Sequence, residues 1–68
     1  MINFKLETEY IELNKLLKVT QICSSGGIAN HLITDKLVRV DGEIETRKRC
    51  KIRSGQRVTY KNKSILVE

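Results

Sequence analysis

Apolar and polar residues follow two different periods along the first half of this chain. They alternate over residues 2–7, which is typical of a short strand with one apolar side. From residue 10 to residue 18 the leucines recur at helical spacing, and Thr8 is a suitable N-cap for that helix. Ser25 can cap a second helix, in which apolar residues recur at helical spacing over residues 28–33. The pattern therefore predicts one strand followed by two short helices.

The hydrophobic period changes from that of a helix to that of a strand after residue 37. The pair Asp41-Gly42 lies between two apolar alternations. It favours a tight hairpin turn, because such a turn needs positive φ at both central residues. A closing strand is predicted over residues 64–67. We therefore expect one α+β domain over residues 1–68, with two short helices packed on a small, mostly antiparallel sheet.

Residues 47–53 also alternate, and their alternation predicts a basic strand. Cys50 and Ile52 are natural core residues, so the cations between them are expected to face solvent. Successive cations on one side of a strand lie about 6.6 Å apart, close to the spacing of phosphates along a nucleic-acid strand. The predicted stripe of exposed cations consists of Arg47, Arg49, Lys51 and Arg53.

Positive charge is concentrated in the second half of the chain. The chain carries 13 Lys and Arg residues against 8 acids, a net charge of +5, and residues 1–34 are neutral in sum. From residue 46 to residue 67 there are eight cations and no acid. Solubility alone is better served by mixed charge. Cations that displace counterions from a polyanion favour binding, so the distribution predicts a nucleic-acid partner.

The short length and the scarcity of reactive side chains argue against an enzyme or a metal site. A chain of 68 residues has little room for both a core and a catalytic cleft. Cys23 and His31 are the only pair that resembles a nucleophile and a base, and they lack a third, orienting group. Cys23, His31 and Cys50 together are poor candidates for zinc ligands, because the chain has no second histidine and no Cys-x-x-Cys motif. We predict no catalytic residue, no metal ligand and no cofactor.

Two cysteines do not form a disulfide framework of the secreted type. No basic leader precedes a long apolar stretch, and no apolar run approaches the roughly 20 residues that span a bilayer. The expected protein is therefore a cytoplasmic monomer with reduced thiols and no membrane association.

Three stretches of the chain resemble, in order, an RNA-binding module named after ribosomal small-subunit protein S-four, the alpha-L domain. They are LNKLLK at residues 13–18, SSGGIANHLI at residues 24–33 and VRVDGEIETRKRCKIRSGQRV at residues 38–58. The short stand-alone bacterial members, called YbcJ-like or YaaA-like, are especially similar. The resemblance implies RNA binding without catalysis by this module, in ribosome assembly or translation.

The chain departs from that family's pattern in its helical half. Glu12 and Asn30 stand where many members carry Arg, and Lys36 stands where Gly is usual, which implies positive φ at a lysine or a different turn. The stripe is therefore inferred to take over part of the RNA face. Gly26 and Gly27 either bring N–H groups to a phosphate or serve only as a flexible loop or for close helix packing. The predicted RNA-binding residues are Lys15, Lys18, Gly26, Gly27, Lys36, Arg39, Arg47, Lys48, Arg49, Lys51 and Arg53.

Only three aromatic residues occur, and two of them are expected to face the core. Binding by base stacking needs several exposed aromatics, so we expect structured RNA, recognised by shape. Three other interpretations stay open at this point. The basic face could dock on an acidic protein, the ligand could be DNA, or the chain could be a small enzyme.

Overall fold

The computed structural model describes every residue, 1–68, and it contains two helices and seven strands. In chain order the elements are β1 (Ile2–Phe4), β2 (Ile11–Glu12), α1 (Leu13–Val19), α2 (Gly26–Thr34), β3 (Val38–Val40), β4 (Glu43–Ile44), β5 (Lys51–Ile52), β6 (Arg57–Tyr60) and β7 (Lys63–Val67). Five strands form a sheet in the order β1-β7-β6-β3-β4, while β2 and β5 pair separately. Only β1 and β7 are parallel. The predicted α+β fold with a mostly antiparallel sheet is confirmed.

One apolar core lies between the helices and the strands. All of its eleven buried residues are apolar or cysteine. No buried side-chain nitrogen or oxygen lacks a hydrogen-bond partner. Helix α1 contributes three leucines because positions three and four residues apart share one face. Burying each large aliphatic side chain stabilises the fold by roughly 1.5–3 kcal/mol. No helix is long and apolar enough to cross a membrane.

Helix α1 begins later than predicted, and Thr8 does not cap it. Instead, Ile11 pairs with Ile52 across β2 and β5, which keeps residues 11–12 extended. The Thr8 hydroxyl donates to the carbonyl of Tyr10, at 2.8 Å. The prediction from local pattern was wrong because a strand 40 positions along the chain supplies backbone partners that keep residues 11 and 12 out of the helix.

Two local signals are confirmed by the backbone, and one open alternative, at Lys36, is decided. The N–H of Ile28 donates to Ser25 Oγ at 3.2 Å, so Ser25 caps α2. Asp41 and Gly42 both have positive φ, 52° and 86°, at the tip of the β3–β4 hairpin. Lys36 follows α2 at φ 65° and donates its N–H to the carbonyl of Ile33 at 3.1 Å. The N–H of Leu37 donates to the carbonyl of Leu32 at 3.1 Å. Together these two bonds close the helix in a Schellman motif, with a lysine where Gly is usual.

Candidate nucleic-acid interface

Residues 47–50, which we call the basic turn, are not part of a strand. The N–H of Cys50 donates to the carbonyl of Arg47 at 3.2 Å, which closes a four-residue turn. Only Lys51–Ile52 is extended, in β5. The prediction of a basic strand over residues 47–53 was therefore wrong, and the regular 6.6 Å spacing of cations does not apply.

The basic turn is irregular because two of its carbonyls accept hydrogen bonds from the first amides of α1. The N–H of Leu13 donates to the carbonyl of Cys50 at 2.9 Å, and the N–H of Asn14 donates to the carbonyl of Lys48 at 3.0 Å. The first amides of a helix have no acceptor within the helix, so these bonds replace a side-chain cap. The turn is thereby held against α1.

An open cleft of about 190 Å³ lies where α1, the start of α2 and the basic turn meet. We call it the junction cleft. Three of its lining residues are cations and none is hydrophobic. The lining consists of Glu12, Asn14, Lys15, Lys18, Gly26 and Arg49.

Each cation of the junction cleft has a clear structural origin. Lys15 and Lys18 are three residues apart and therefore share a face of α1. Arg49 belongs to the turn whose carbonyls hold α1. The side-chain amide of Asn14 donates from Nδ2 to Asn30 Oδ1 at 3.0 Å, which ties α1 to α2. Charges from distant parts of the sequence are thus brought together by backbone contacts and one amide pair.

Neither glycine at the start of α2 is required by backbone strain or packing. Neither has positive φ. A Cβ at Gly26 would meet nothing within 4 Å, and one at Gly27 would lie 3.8 Å from Ser25 Oγ, an ordinary contact. Only Gly26 lines the junction cleft. Its missing side chain leaves the main chain open to a close approach from the cleft.

Part of the Arg47 guanidinium is bound to an acid, Glu45, which lies two residues earlier in the chain. Its Nε lies 2.9 Å from Glu45 Oε2, its Nη2 lies 3.0 Å from Oε1, and its backbone N–H also donates to Oε2. These hydrogen bonds lower the pKa of Glu45 from 4.5 to about 2. The guanidinium stays exposed, but two of its donors hold the turn in place. Arg47 is therefore mainly an anchor of the basic turn.

Lys51 and Arg53 extend the basic surface beyond the turn, and both contact Tyr10. The ring centroid lies 5.0 Å from Lys51 Nζ and 5.7 Å from Arg53 Cζ, within cation–π range. Arg49 and Lys51 also line an adjoining open cleft, with Arg47. No pattern in the sequence indicates a role for Tyr10, because only the pairing of β2 with β5 brings it to these cations.

The sequence pattern that defines the S4 domain family matches residues 4–68. The chain belongs to the S4 domain family. The Escherichia coli (strain K12) protein named "Putative RNA-binding protein YbcJ" is 45% identical over 58 residues, which are 85% of this chain and 83% of that protein. The Shigella flexneri protein named "Uncharacterized protein YbcJ" gives the same values. The resemblance noted from the sequence is thus confirmed.

A solved structure supports the same assignment. The solution structure of Escherichia coli YbcJ is described as revealing an alfaL motif involved in RNA-binding. It aligns with a TM-score of 0.76 and 43% identity, over 98% of this chain and 86% of that one. The alpha-L fold that the sequence predicted is therefore confirmed for this S4 domain.

The S4 domain does not bring all predicted RNA-binding residues together. Lys15, Lys18, Gly26 and Arg49 line the junction cleft. Gly27 does not line it, and Lys36 lies in the Schellman motif that follows α2. Arg39 lies on the β3–β4 hairpin, where its Nη1 donates to the carbonyl of Gly42 at 3.1 Å. Lys48 is exposed in the basic turn.

The side chains considered for catalysis or metal binding form no metal-binding cluster in this S4 domain. His31 is exposed and lies 3.0 Å from Asp35, one helical turn along α2. Cys23 is buried and Cys50 half-buried, both as free thiols, and burial raises the pKa of each. A raised pKa leaves less thiolate, the nucleophilic form. No three side chains of metal-binding type converge.

Proposed function

We propose that this S4 domain binds structured RNA by holding phosphates in the junction cleft and along the surface that continues to Lys51 and Arg53. The observation that carries the proposal is the convergence of Lys15, Lys18 and Arg49 in one cleft without a hydrophobic lining residue. Family membership and the names of the relatives support RNA as the polyanion.

Phosphate binding follows from the chemistry of the cleft. Cations grouped in a concave site add their potentials and raise the local concentration of an anion. Arg49 offers a planar fork that matches two phosphate oxygens, whereas the lysines act as point charges. The open main chain at Gly26 lets a phosphate approach the N-terminus of α2. The proposal includes a monomeric, non-catalytic protein of the cytoplasm that acts in ribosome assembly or translation.

The test compares two double variants that remove the same charge. Lys18→Ala/Arg49→Ala empties the cleft of two cations, and Arg57→Ala/Lys61→Ala removes two from the β6–β7 hairpin. Fluorescence anisotropy with a hairpin RNA should show that the cleft variant, Lys18→Ala/Arg49→Ala, binds about tenfold or more weakly, since two contacts of roughly 1 kcal/mol each disappear. The hairpin variant, Arg57→Ala/Lys61→Ala, should lose less than about twofold in RNA affinity.

Salt dependence gives an independent measurement. If about five phosphates are engaged, the log–log slope of affinity against salt should be near −3.5 on single strands, and somewhat steeper on duplexes. The cleft variant should reduce that slope by about 1.5, and the hairpin variant should change it little. Equal losses in the two variants, or an affinity that does not respond to salt, would contradict the proposal.

Two cellular measurements distinguish the remaining alternatives. Pull-down of the tagged chain with and without RNase separates RNA from an acidic protein partner, because only RNA-dependent partners are lost on digestion. Sedimentation with ribosomal particles in a sucrose gradient tests the ribosomal part of the proposal. Partners retained in full after digestion would favour a protein-interaction module.

A further inference from the structure

Glu12 places a carboxylate in a cleft that is otherwise positive. The residue is half-buried, precedes α1 with an extended backbone, and lines the junction cleft with Lys15, Lys18 and Arg49. It makes no ion pair, since the two pairs of the chain lie elsewhere, at Asp35 and Glu45. A free acid at this point weakens the binding of any phosphate.

The helix dipole favours an acid at the N-cap of α1, but no hydrogen bond occupies the Glu12 carboxylate. Its side chain accepts no hydrogen bond from the helix. The first amides of α1 are already bonded to the carbonyls of Cys50 and Lys48, and the N–H of Lys15 donates to Asn14 Oδ1 at 2.8 Å. Its cross-strand neighbour in the β2–β5 pair, Lys51, lies over Tyr10 instead. The carboxylate is therefore available to a ligand.

A carboxylate beside a phosphate site is useful only if the ligand carries a hydrogen-bond donor at that point. No hydrophobic or aromatic residue lines the small cleft, so no aromatic ring is available there for a base to stack on. In an RNA helix the 2′-hydroxyls lie in the accessible minor groove, and they are the donors that DNA lacks. We propose that Glu12 accepts a hydrogen bond from a ribose 2′-hydroxyl next to the bound phosphate and so makes the cleft selective for RNA over DNA.

This inference rests on the proposed function and adds a mechanism of selectivity to it. With RNA, the hydrogen bond offsets the repulsion between Glu12 and the phosphate. With DNA, the repulsion stays and no donor compensates it. Discrimination by an uncompensated charge is a common way to reject the wrong ligand.

The first experiment measures affinities for a hairpin RNA and for the DNA hairpin of the same sequence. Glu12→Ala should raise the affinity for DNA and narrow the RNA-to-DNA ratio by about twofold to tenfold, the range of one net hydrogen bond. Glu12→Gln keeps an acceptor oxygen without the charge, so both affinities should rise. Part of the preference for RNA should stay, because a hydrogen bond to a neutral acceptor is weaker than one to a carboxylate. Glu9→Ala removes the same charge outside the junction cleft and should leave the ratio unchanged.

The second experiment replaces the riboses of the RNA hairpin by deoxyribose one at a time. At one position the wild-type protein should lose affinity and Glu12→Ala should not, which is the signature of a direct coupling. If Glu12→Ala does not fold, Glu12→Gln takes its place in the test. At that one position, deoxyribose should then cost Glu12→Gln less RNA affinity than it costs the wild-type protein.

The outcomes separate this inference from the proposed function. An RNA-to-DNA ratio that Glu12→Ala leaves unchanged, or equal wild-type affinities for the two hairpins, would overturn the role of Glu12 and leave RNA binding intact. If Lys18→Ala/Arg49→Ala binds RNA as wild type does, both the proposed site and the role of Glu12 are overturned.

Discussion

Two basic regions of similar sequence character have different structures in this molecule. The basic turn continues into β5, and its backbone is irregular except at Lys51–Ile52. The hairpin of β6 and β7 carries Arg57, Lys61 and Lys63 on two regular antiparallel strands and the turn between them. Arg49 of the basic turn lines the junction cleft, and no cation of the hairpin does.

The difference between these regions lies in what their backbone groups bind. In the hairpin, carbonyls and amides pair within the sheet, so the side chains point away from it and act separately. In the basic turn, the carbonyls of Lys48 and Cys50 bind the start of α1. Arg49 is thereby placed beside the lysines of the helix. Convergence of charge, rather than its amount, makes the candidate site.

The largest effect is expected from the buried side chain next to the basic turn. Ile52 is fully buried, and Ile52→Ala should lower the free energy of unfolding by about 2–5 kcal/mol, because it removes core contacts and leaves a cavity. Ile65→Ala makes the same change in β7 of the hairpin and should cost a similar amount. Urea unfolding measures both.

The milder changes to valine compare the two regions in folded protein. Ile52→Val and Ile65→Val should each cost about 0.5–1.5 kcal/mol. Loosening β5 should also weaken binding to hairpin RNA, because Ile52 supports the strand that follows the basic turn. Ile65→Val should leave RNA affinity near wild type. Equal binding losses would show that the basic turn is no more important to the interface than the hairpin.

A smaller effect is expected at the two glycines of α2. Alanine fits at both positions and should stabilise the helix by about 0.5–1 kcal/mol in each case. Gly26→Ala should nevertheless weaken RNA binding roughly fivefold, about 1 kcal/mol, because its Cβ enters the junction cleft. Gly27→Ala is the matched control and should bind as wild type does. Anisotropy combined with thermal unfolding measures both properties, and unchanged binding in Gly26→Ala would argue against close approach at this point.

The smallest effect concerns the ion pair that holds the basic turn. The hydrogen bonds from Arg47 lower the pKa of Glu45 from 4.5 to about 2, so the folded state favours the charged carboxylate. The pair therefore contributes stability above about pH 4.5, and this contribution is lost as the pH falls toward 2. Glu45→Gln should flatten the dependence of stability on pH in that interval.

The control for the ion pair is Glu43→Gln, which removes an exposed acid of β4 that makes no ion pair. Urea unfolding at a series of pH values should give the wild-type profile for this variant. A wild-type profile in Glu45→Gln as well would mean that the ion pair does not stabilise the basic turn in solution.

Features governed by a few neighbouring residues could be predicted from the sequence. The Ser25 cap and the Asp41-Gly42 hairpin were each found where local chemistry indicated. At Lys36 the resemblance to the family left positive φ and a different turn open, and φ is positive. The start of α1 and the basic strand were predicted wrongly. The reason is that β2 pairs with β5, and the first amides of α1 bind carbonyls of the basic turn, in both cases across about 40 positions. Alternation of side chains carries no information about such partners.

The sequence by itself determined the α+β class, the apolar core and the excess of positive charge, since each depends on residue types and their period. Only the tertiary structure decided which charges act together. It joined Lys15, Lys18 and Arg49 in one cleft, paired Arg47 with Glu45, and left Glu12 without a partner. The physical reason is that side-chain positions in a turn follow from distant backbone hydrogen bonds, which no local pattern of residues encodes.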